Sequence, residues 1–405
     1  MKLLEPVTLG KLTLKNRIVK SATHETMAGP NGECTERCVE FYRRIARGGA
    51  GLLITGNIFH HWVGHNWPGQ LGLDCDELIA SYRPLTKAVQ AEGAAIAAQI
   101  NDTGREVHAR YTRGHEPRAP SAVFEPLFWH RPREMTVEDI HETVESFGHC
   151  AARAKAAGFD AVQIHGAHGY LLNQFLSPYT NRRRDQYGGH LPNRWRFVQE
   201  VYQSIRRNVG ADFPVLIKIN ATDAFPVPIG VRFGEALETA KMLADLGVDA
   251  MEVSCGCYES GMTTIRGPLE FRLALRTVAE AREANALSRA ALWALAPLLR
   301  NLYPFRENYN LGFAAAVKRQ VKAPVITVGG LRRPEVMESI LEQGQADLVA
   351  LARPLIADPD FPRQIAAGDL SPSRCVNCNI CIVHIQERPL QCYGGVIPKP
   401  ARSRP

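Results

Sequence analysis

Short runs rich in β-branched residues alternate along the chain with stretches whose apolar positions recur every three or four residues. The runs predict eight strands, at Ile18–Ala22, Leu52–Thr55, Ala94–Gln99, Ala161–His165, Val215–Ile219, Ala250–Ser254, Val325–Val328 and Leu348–Leu351. The stretches between them predict helices over Glu36–Arg47, Glu77–Glu92, Thr136–Ala157, Asn193–Val209, Gly234–Leu246, Gly312–Val321 and Pro334–Glu342. A glycine follows six of these segments (Gly48, Gly93, Gly158, Gly210, Gly247 and Gly344), where a helix is expected to stop on left-handed backbone. Eight strands with helices between them favour a closed parallel (β/α)8 TIM barrel over an open doubly wound sheet. Such barrels routinely exceed 200 residues as one domain, so a chain of 405 residues does not require several.

Two regions break the rhythm. Residues 101–135 are rich in Arg, Pro and Gly and read as a long loop, and residues 255–311 form a long insertion after strand six, helical in part at Leu273–Arg300. Loops this long in a compact domain are usually lids or substrate walls. The alternation stops near residue 371, which divides the chain into a barrel, 1–370, and a cysteine-bearing tail, 371–405. A net charge of +7, 45% hydrophobic and 22% charged residues describe an ordinary globule with a mild preference for anionic ligands. Arg182-Arg183-Arg184 is too short a basic tract to call for nucleic acid. The first residues carry no apolar signal core, and Ala290–Leu299, edged by Arg289 and Arg300, is too short to span a bilayer. A cytoplasmic protein with small-molecule partners is expected, with no nucleic acid or membrane partner and with a homo-oligomer allowed.

Active sites of α/β barrels gather where the strands end. Here those ends carry Thr23-His24, Gly56-Asn57, Gln99, His165-Gly-Ala-His168-Gly-Tyr170, Lys218-Ile-Asn220, Gly329-Gly330 and Arg353. Gly329 and Gly330 let backbone N–H groups approach an anion, Arg353 adds a forked donor, and a short helix at about Pro359–Ala367 is expected to aim its N-terminus the same way. His165 and His168 suit paired donors to an oxygen; a metal site or two satisfied structural histidines remain alternatives, and Lys218 and Arg353 nearby disfavour a divalent metal. Tyr170 is the candidate proton donor. No Gly-x-Gly-x-x-Gly follows an early strand, so a nicotinamide cofactor is expected to bind only transiently.

Asn16-Arg17-Ile18-Val19, Gly48-Gly49-Ala50-Gly51-Leu52, Ala157-Gly158-Phe159-Asp160, the long run from His165 to Gly189, Asn193-Arg194 and the segment from Ala352 to Pro359 together resemble the Old Yellow Enzyme family over roughly residues 1–370. The resemblance implies non-covalent FMN, reduced by NAD(P)H, and reduction of an activated C=C bond. It implies that Thr23, His24, Gly56, Gln99, Lys218, Gly329, Gly330 and Arg353 contact the cofactor. Gln99 would meet the flavin's polar edge, Lys218 its N1/O2 side and His24 its O4/N5 side, with the last three residues at the phosphate. His165 and His168 would bind the acceptor's carbonyl or nitro oxygen, and Tyr170 would deliver a proton to the carbon α to that group. Ala22, Gln163, Asn101-Asp102-Thr103 and the long insertion depart from the family pattern and leave the natural substrate open.

Of ten cysteines, four gather as Cys375-x2-Cys378-x2-Cys381-x10-Cys392. Four thiolates suit a [4Fe–4S] cluster or zinc, and binding of no metal is the remaining alternative. The tail and His24 resemble the 2,4-dienoyl-CoA reductase and trimethylamine dehydrogenase branch, with narrower cysteine spacing. The nicotinamide-binding domains of that branch do not follow within 405 residues, so a cluster here is expected to take electrons from an external donor or to serve structure. Rival readings are an oxidative flavin dehydrogenase or demethylase, a flavin-binding electron-transfer subunit, and a metal-dependent barrel hydrolase.

Overall fold

The computed structural model describes residues 1–225, 229–260, 263–277, 286–300, 303–385 and 388–395. A hairpin of β1 (Val7–Leu9) and β2 (Leu12–Leu14) precedes eight parallel strands that close into a barrel. These are β3 (Ile18–Lys20), β4 (Leu52–Phe59), β5 (Ala95–Asn101), β8 (Ala161–Gly166), β9 (Val215–Asn220), β10 (Ala250–Ser254), β11 (Val325–Val328) and β12 (Leu348–Leu351), with β12 pairing back onto β3. The two remaining strands, β6 (Arg118–Ala119) and β7 (Arg133–Glu134), are a small pair inside the long loop. The (β/α)8 expectation therefore holds, and all eight predicted strands form.

Alternation along each strand separates two apolar layers. Val19, Leu52, Ile54, Ala97, Ala161, Leu216, Ala250, Ile326 and Leu348 fill the barrel interior. Leu9 and Leu14 of the hairpin join this cluster and plug its lower end, a feature the sequence reading missed. Ile18, Leu53, Ile96, Val162, Ile217, Met251, Val325 and Val349 face outward into a larger core shared with the helices.

The predicted helices form close to their expected bounds as α1 (Glu36–Arg47), α2 (Ile79–Ala91), α3 (Val137–Ala156), α5 (Leu191–Val209), α6 (Phe233–Leu246) and helices Leu311–Lys318 and Pro334–Glu342, while α4 (Leu171–Leu176) is an unpredicted short turn. Thr136 and Asp139 form a reciprocal capping box at the start of α3. In the insertion, Phe271–Thr277 and Ala286–Leu299 are helical, and the part of the predicted Leu273–Arg300 helix at 278–285 lies outside the described residues. Among the described residues no helix is long and apolar enough to cross a membrane.

Two local expectations are corrected. Gly48 is not a left-handed stop: its φ is −68°, and the next residue, Gly49, takes φ +102°. Gly48 is glycine because a Cβ there would run into the Pro359 carbonyl. The same packing overturns the anion role given to the Pro359–Ala367 helix. It forms as Phe361–Ala366, and the Arg363 N–H in it donates to Gly48 O at 2.8 Å, which ties it to the end of α1.

The glycines supply a test of this packing. Gly48→Ala is expected to destabilise the protein by about 1–3 kcal/mol through overpacking. Gly312→Ala, where an added Cβ meets open space within a helix, is expected to stabilise it by about 0.5–1 kcal/mol. Paired thermal melts check both, and a Gly48→Ala protein as stable as the parent contradicts the contact.

Candidate active site

At the C-terminal ends of the strands lies a cleft whose floor is a polar layer crossing the barrel. The Lys218 ammonium on β9 pairs with Glu252 on β10 at 3.2 Å and donates to Ser21 Oγ at 3.1 Å. Ser21 Oγ in turn donates to Glu252 Oε1 at 2.6 Å, Gln163 on β8 donates to Glu252 Oε2 at 2.9 Å, and Gln99 on β5 donates to Gln163 Oε1 at 2.7 Å. All five side chains are buried. Lys218 has three N–H donors, of which these contacts use two.

Above this floor, His165, His168 and Tyr170 converge. The His165 ring centre lies 5.0 Å from that of His168 and 4.9 Å from that of Tyr170. His168 takes left-handed backbone (φ 65°), and its N–H donates to Asn220 Oδ1 at 3.2 Å. Its ring Nε2 meets Ser254 Oγ at 2.7 Å. Burial, aided by the Lys218 charge, pushes His168 down to about 3; burial, with His168 and Lys218, pushes His165 well below the ordinary imidazole value. Both rings are therefore neutral at physiological pH, each with one N–H to donate. Tyr170 OH lies 2.9 Å from Tyr258 OH and accepts from Asn66 Nδ2 at 3.4 Å.

At the other end of the cleft, Gly329 and Gly330 take φ of 126° and 75°. A Cβ on Gly329 would stand 2.7 Å from the Tyr309 ring, so both conformation and space require glycine. Arg353 donates to Arg266 O at 2.9 Å and to Asn379 Oδ1 of the tail. His24 is half-buried with both ring nitrogens shielded from solvent, and neither nitrogen has a hydrogen-bond partner of good geometry, although Asn57 and the Pro68 backbone lie close by. Burial, as the largest cause, lowers its pKa to about 4.

The cleft lining thus includes Thr23, His24, Gln99, His165, His168, Tyr170, Lys218, Gly329, Gly330 and Arg353. Gly56 is the exception. Its N–H is taken by Glu25 and the Tyr42 hydroxyl behind the barrel wall, and its neighbour Asn57 lines the cleft instead. A register shift of β4 between Ile54 and Asn57 turns it away. Sequence reasoning also missed Ser254, although it ends strand six and the same rule of reading strand ends would have found it. Tyr258, Tyr309 and Asn377 come from the insertion and the tail, where no periodic pattern marks them.

The four tail cysteines are free thiols, with Cys375 buried and the other three half-buried. Burial raises Cys381 to about 12, and the charges of Cys375, Cys378 and Cys392 add to the rise, so all four lie within electrostatic reach. Arg353 acts in the opposite sense on both Cys375 and Cys381. Among the described residues, only Glu106, Glu125 and Glu259 bring three ligand atoms within 4.8 Å of one another.

The NADH:flavin oxidoreductase / NADH oxidase family model matches residues 2–260 and 273–370. An NADH oxidase of Thermoanaerobacter brockii is 37% identical over 92% of this chain and 52% of its own length. A 4,4'-dithiodibutanoate disulfide reductase of Rhodococcus erythropolis is 33% identical over 93% of this chain and 91% of its own. A 2-naphthoyl-CoA reductase structure superposes with a TM-score of 0.81 at 28% identity, covering 96% of this chain and 56% of that one. The chain thus spans about half the length of the NADH oxidase and of the naphthoyl-CoA reductase.

The depressed histidines make stability depend on pH. A histidine near 6.5 when unfolded and near 3 or 4 when folded binds its proton only on unfolding. Stability is then full above pH 6.5 and falls as pH drops toward the folded values. At pH 5, His168→Asn in the ligand-free protein is expected to reduce proton uptake on unfolding by about one. Urea unfolding at several pH values measures this, and an unchanged uptake contradicts a buried neutral His168.

Proposed function

The chain belongs to the NADH:flavin oxidoreductase / NADH oxidase family, and from that premise we propose that it binds FMN non-covalently in the cleft and uses NADH or NADPH to reduce an activated C=C bond. One observation carries this reading: among the described residues the cleft lining holds two cations and three histidines but no carboxylate, and it ends in a glycine pair. That donor set fits a ring system with an anionic edge and a phosphate tail. The shielded ring nitrogens of half-buried His24, without a well-formed partner, add hydrogen-bonding capacity.

FMN, when bound, supplies the hydride chemistry between nicotinamide and acceptor. Arg353 and the backbone at Gly329 and Gly330 hold the phosphate, with Thr23 and His24 beside the ring system. Gln99 and the remaining Lys218 N–H face its polar edge, and the ammonium favours negative charge there. His165 and His168 donate N–H bonds to the acceptor's carbonyl oxygen, where charge develops as the alkene is reduced. Tyr170 holds the proton for the α-carbon. Their neutrality suits the histidines to donating without themselves giving up a proton.

We further propose that Cys375, Cys378, Cys381 and Cys392 carry a [4Fe–4S] cluster, with zinc the alternative. On one tetrahedral zinc at about 2.3 Å the sulfurs would crowd to within about 4 Å of one another. A cluster gives each cysteine its own iron, and the charges of Cys375, Cys378 and Cys392 all reach Cys381. The family match ends at residue 370, which supports the division into a barrel and a tail. The ten free cysteines fit a reducing, cytoplasmic setting.

Purified protein is expected to be yellow and to bleach rapidly on anaerobic mixing with NADH or NADPH; no bleaching by either donor rejects the reductase. Arg353→Ala is expected to weaken FMN binding roughly 10–100-fold, as loss of a charged hydrogen bond does. Equilibrium titration of apoprotein with FMN measures it, and an unchanged affinity removes Arg353 from the phosphate site. Anaerobically purified protein is expected to carry about four iron and four acid-labile sulfide per chain. Absence of both rejects the cluster, and stoichiometric zinc replaces it.

A further inference from the structure

We propose that Tyr258, supplied by the insertion after β10, is a positioning residue for proton delivery. Its hydroxyl holds the Tyr170 oxygen so that the Tyr170 hydrogen points into the cleft, and it steadies the phenolate left behind. This rests on Tyr170 being the proton donor of the proposed reduction.

The hydrogen-bond directions follow from what each group offers. The Trp67 indole bonds to Tyr258, and an indole N–H only donates, so the Tyr258 oxygen accepts there. The Tyr258 hydrogen is then available for Tyr170 OH, 2.9 Å away. Tyr170 also accepts from Asn66 Nδ2, at a weaker 3.4 Å. With Tyr258 as the donor of that pair, both acceptor positions of Tyr170 are filled and its own hydrogen is left for the cleft. Asn66 is anchored by its own N–H to Gln70 Oε1 at 2.9 Å, and Gln70 donates to Asn57 O at 3.1 Å.

Tyr258 is rigidly placed. A β-bridge joins His168 to Cys257, and Cys257 N donates to Ser260 Oγ at 3.0 Å. The insertion is thus pinned to the loop that carries the catalytic groups. A Cβ on Gly169 would stand 3.0 Å from the Cys257 Cβ, so the close approach of the two loops requires that glycine. The two ring centres lie 5.8 Å apart, with Tyr170 buried and Tyr258 half-buried.

The step balances simply. The β-carbon gains a hydride, with both electrons, from the reduced cofactor. The Tyr170 O–H bond breaks, its proton forms the new C–H bond at the α-carbon, and the phenolate keeps the bonding pair. Hydrogen bonds from Tyr258 and Asn66 stabilise that phenolate until water returns the proton on product release.

The test compares two acceptors in single-turnover reoxidation of the holoenzyme: 2-cyclohexenone, which needs a proton on carbon, and 1,4-benzoquinone, which does not. Tyr258→Phe keeps the ring and is expected to lower the enone-to-quinone rate ratio roughly 10–100-fold. The solvent deuterium isotope effect on the enone step is expected to rise. In a Tyr170→Phe background, Tyr258→Phe is expected to change the enone rate less than twofold, because the two act as one unit. An unchanged ratio overturns the proposal, as do equal losses with both acceptors or a further full loss in the double variant. A parent enzyme inert to the enone, or a Tyr170→Phe enzyme as fast as the parent, overturns the underlying reductase reading and Tyr258 with it.

Discussion

The buried ion pair between Lys218 and Glu252 is the interaction on which the cleft depends. The two face each other on neighbouring strands β9 and β10, in register, with almost no access to solvent. Two charges so enclosed are tolerable only when paired and further hydrogen-bonded; removing one partner from such a pair costs about 3–5 kcal/mol. Ser21 and Gln163 supply the additional bonds from strands that do not adjoin β10, so the layer spans the barrel interior instead of following one edge. Gln99 is held at the end of this chain. Beneath it lies only the apolar plug of the strand interior and the Leu9–Leu14 hairpin.

This layer also explains how the mouth, among the described residues, stays free of acid. Gln163 stands where the family pattern often has a glutamate, and in this chain the balancing carboxylate is Glu252, two strands away. The negative charge sits below Lys218, and the ammonium keeps one N–H toward the cleft. The same ammonium, acting with burial, keeps His165 and His168 neutral. One charge therefore shapes the floor and sets the protonation of the groups above it.

Much of this was legible from pattern alone, because a barrel repeats one rule eight times. Periodicity marked every barrel strand, and the residues at their ends marked Gln99, Lys218, His165, His168, Tyr170 and Arg353, all of which line one cleft. The failures share a cause: they turn on contacts between segments distant in the chain. Gly48 looked like a helix stop, but the Pro359 carbonyl decides its identity. Gly56 looked like a rim residue, but a register shift in β4 and the Glu25 carboxylate turn it away from the mouth. Glu252 drew no notice in the strand pattern, because its role comes from partners on β8, β9 and the end of β3.

The two segments that interrupt the barrel rhythm complete its cleft. Arg353 is held from both: its guanidinium donates to Arg266 O in the insertion and to Asn379 in the tail, while Asn379 Nδ2 reaches back to Pro268 O at 3.2 Å. The tail is tied down again where Leu390 N–H donates to Glu25 O and Ser373 N–H to Arg332 O, each at 2.8 Å. Arg353 therefore has one face toward the glycine pair and another toward the cysteines, whose ionisation its charge favours. Asn379 stands between Cys378 and Cys381 in the chain, so the segment that carries the thiols also supplies a contact to the arginine at the far end of the cleft.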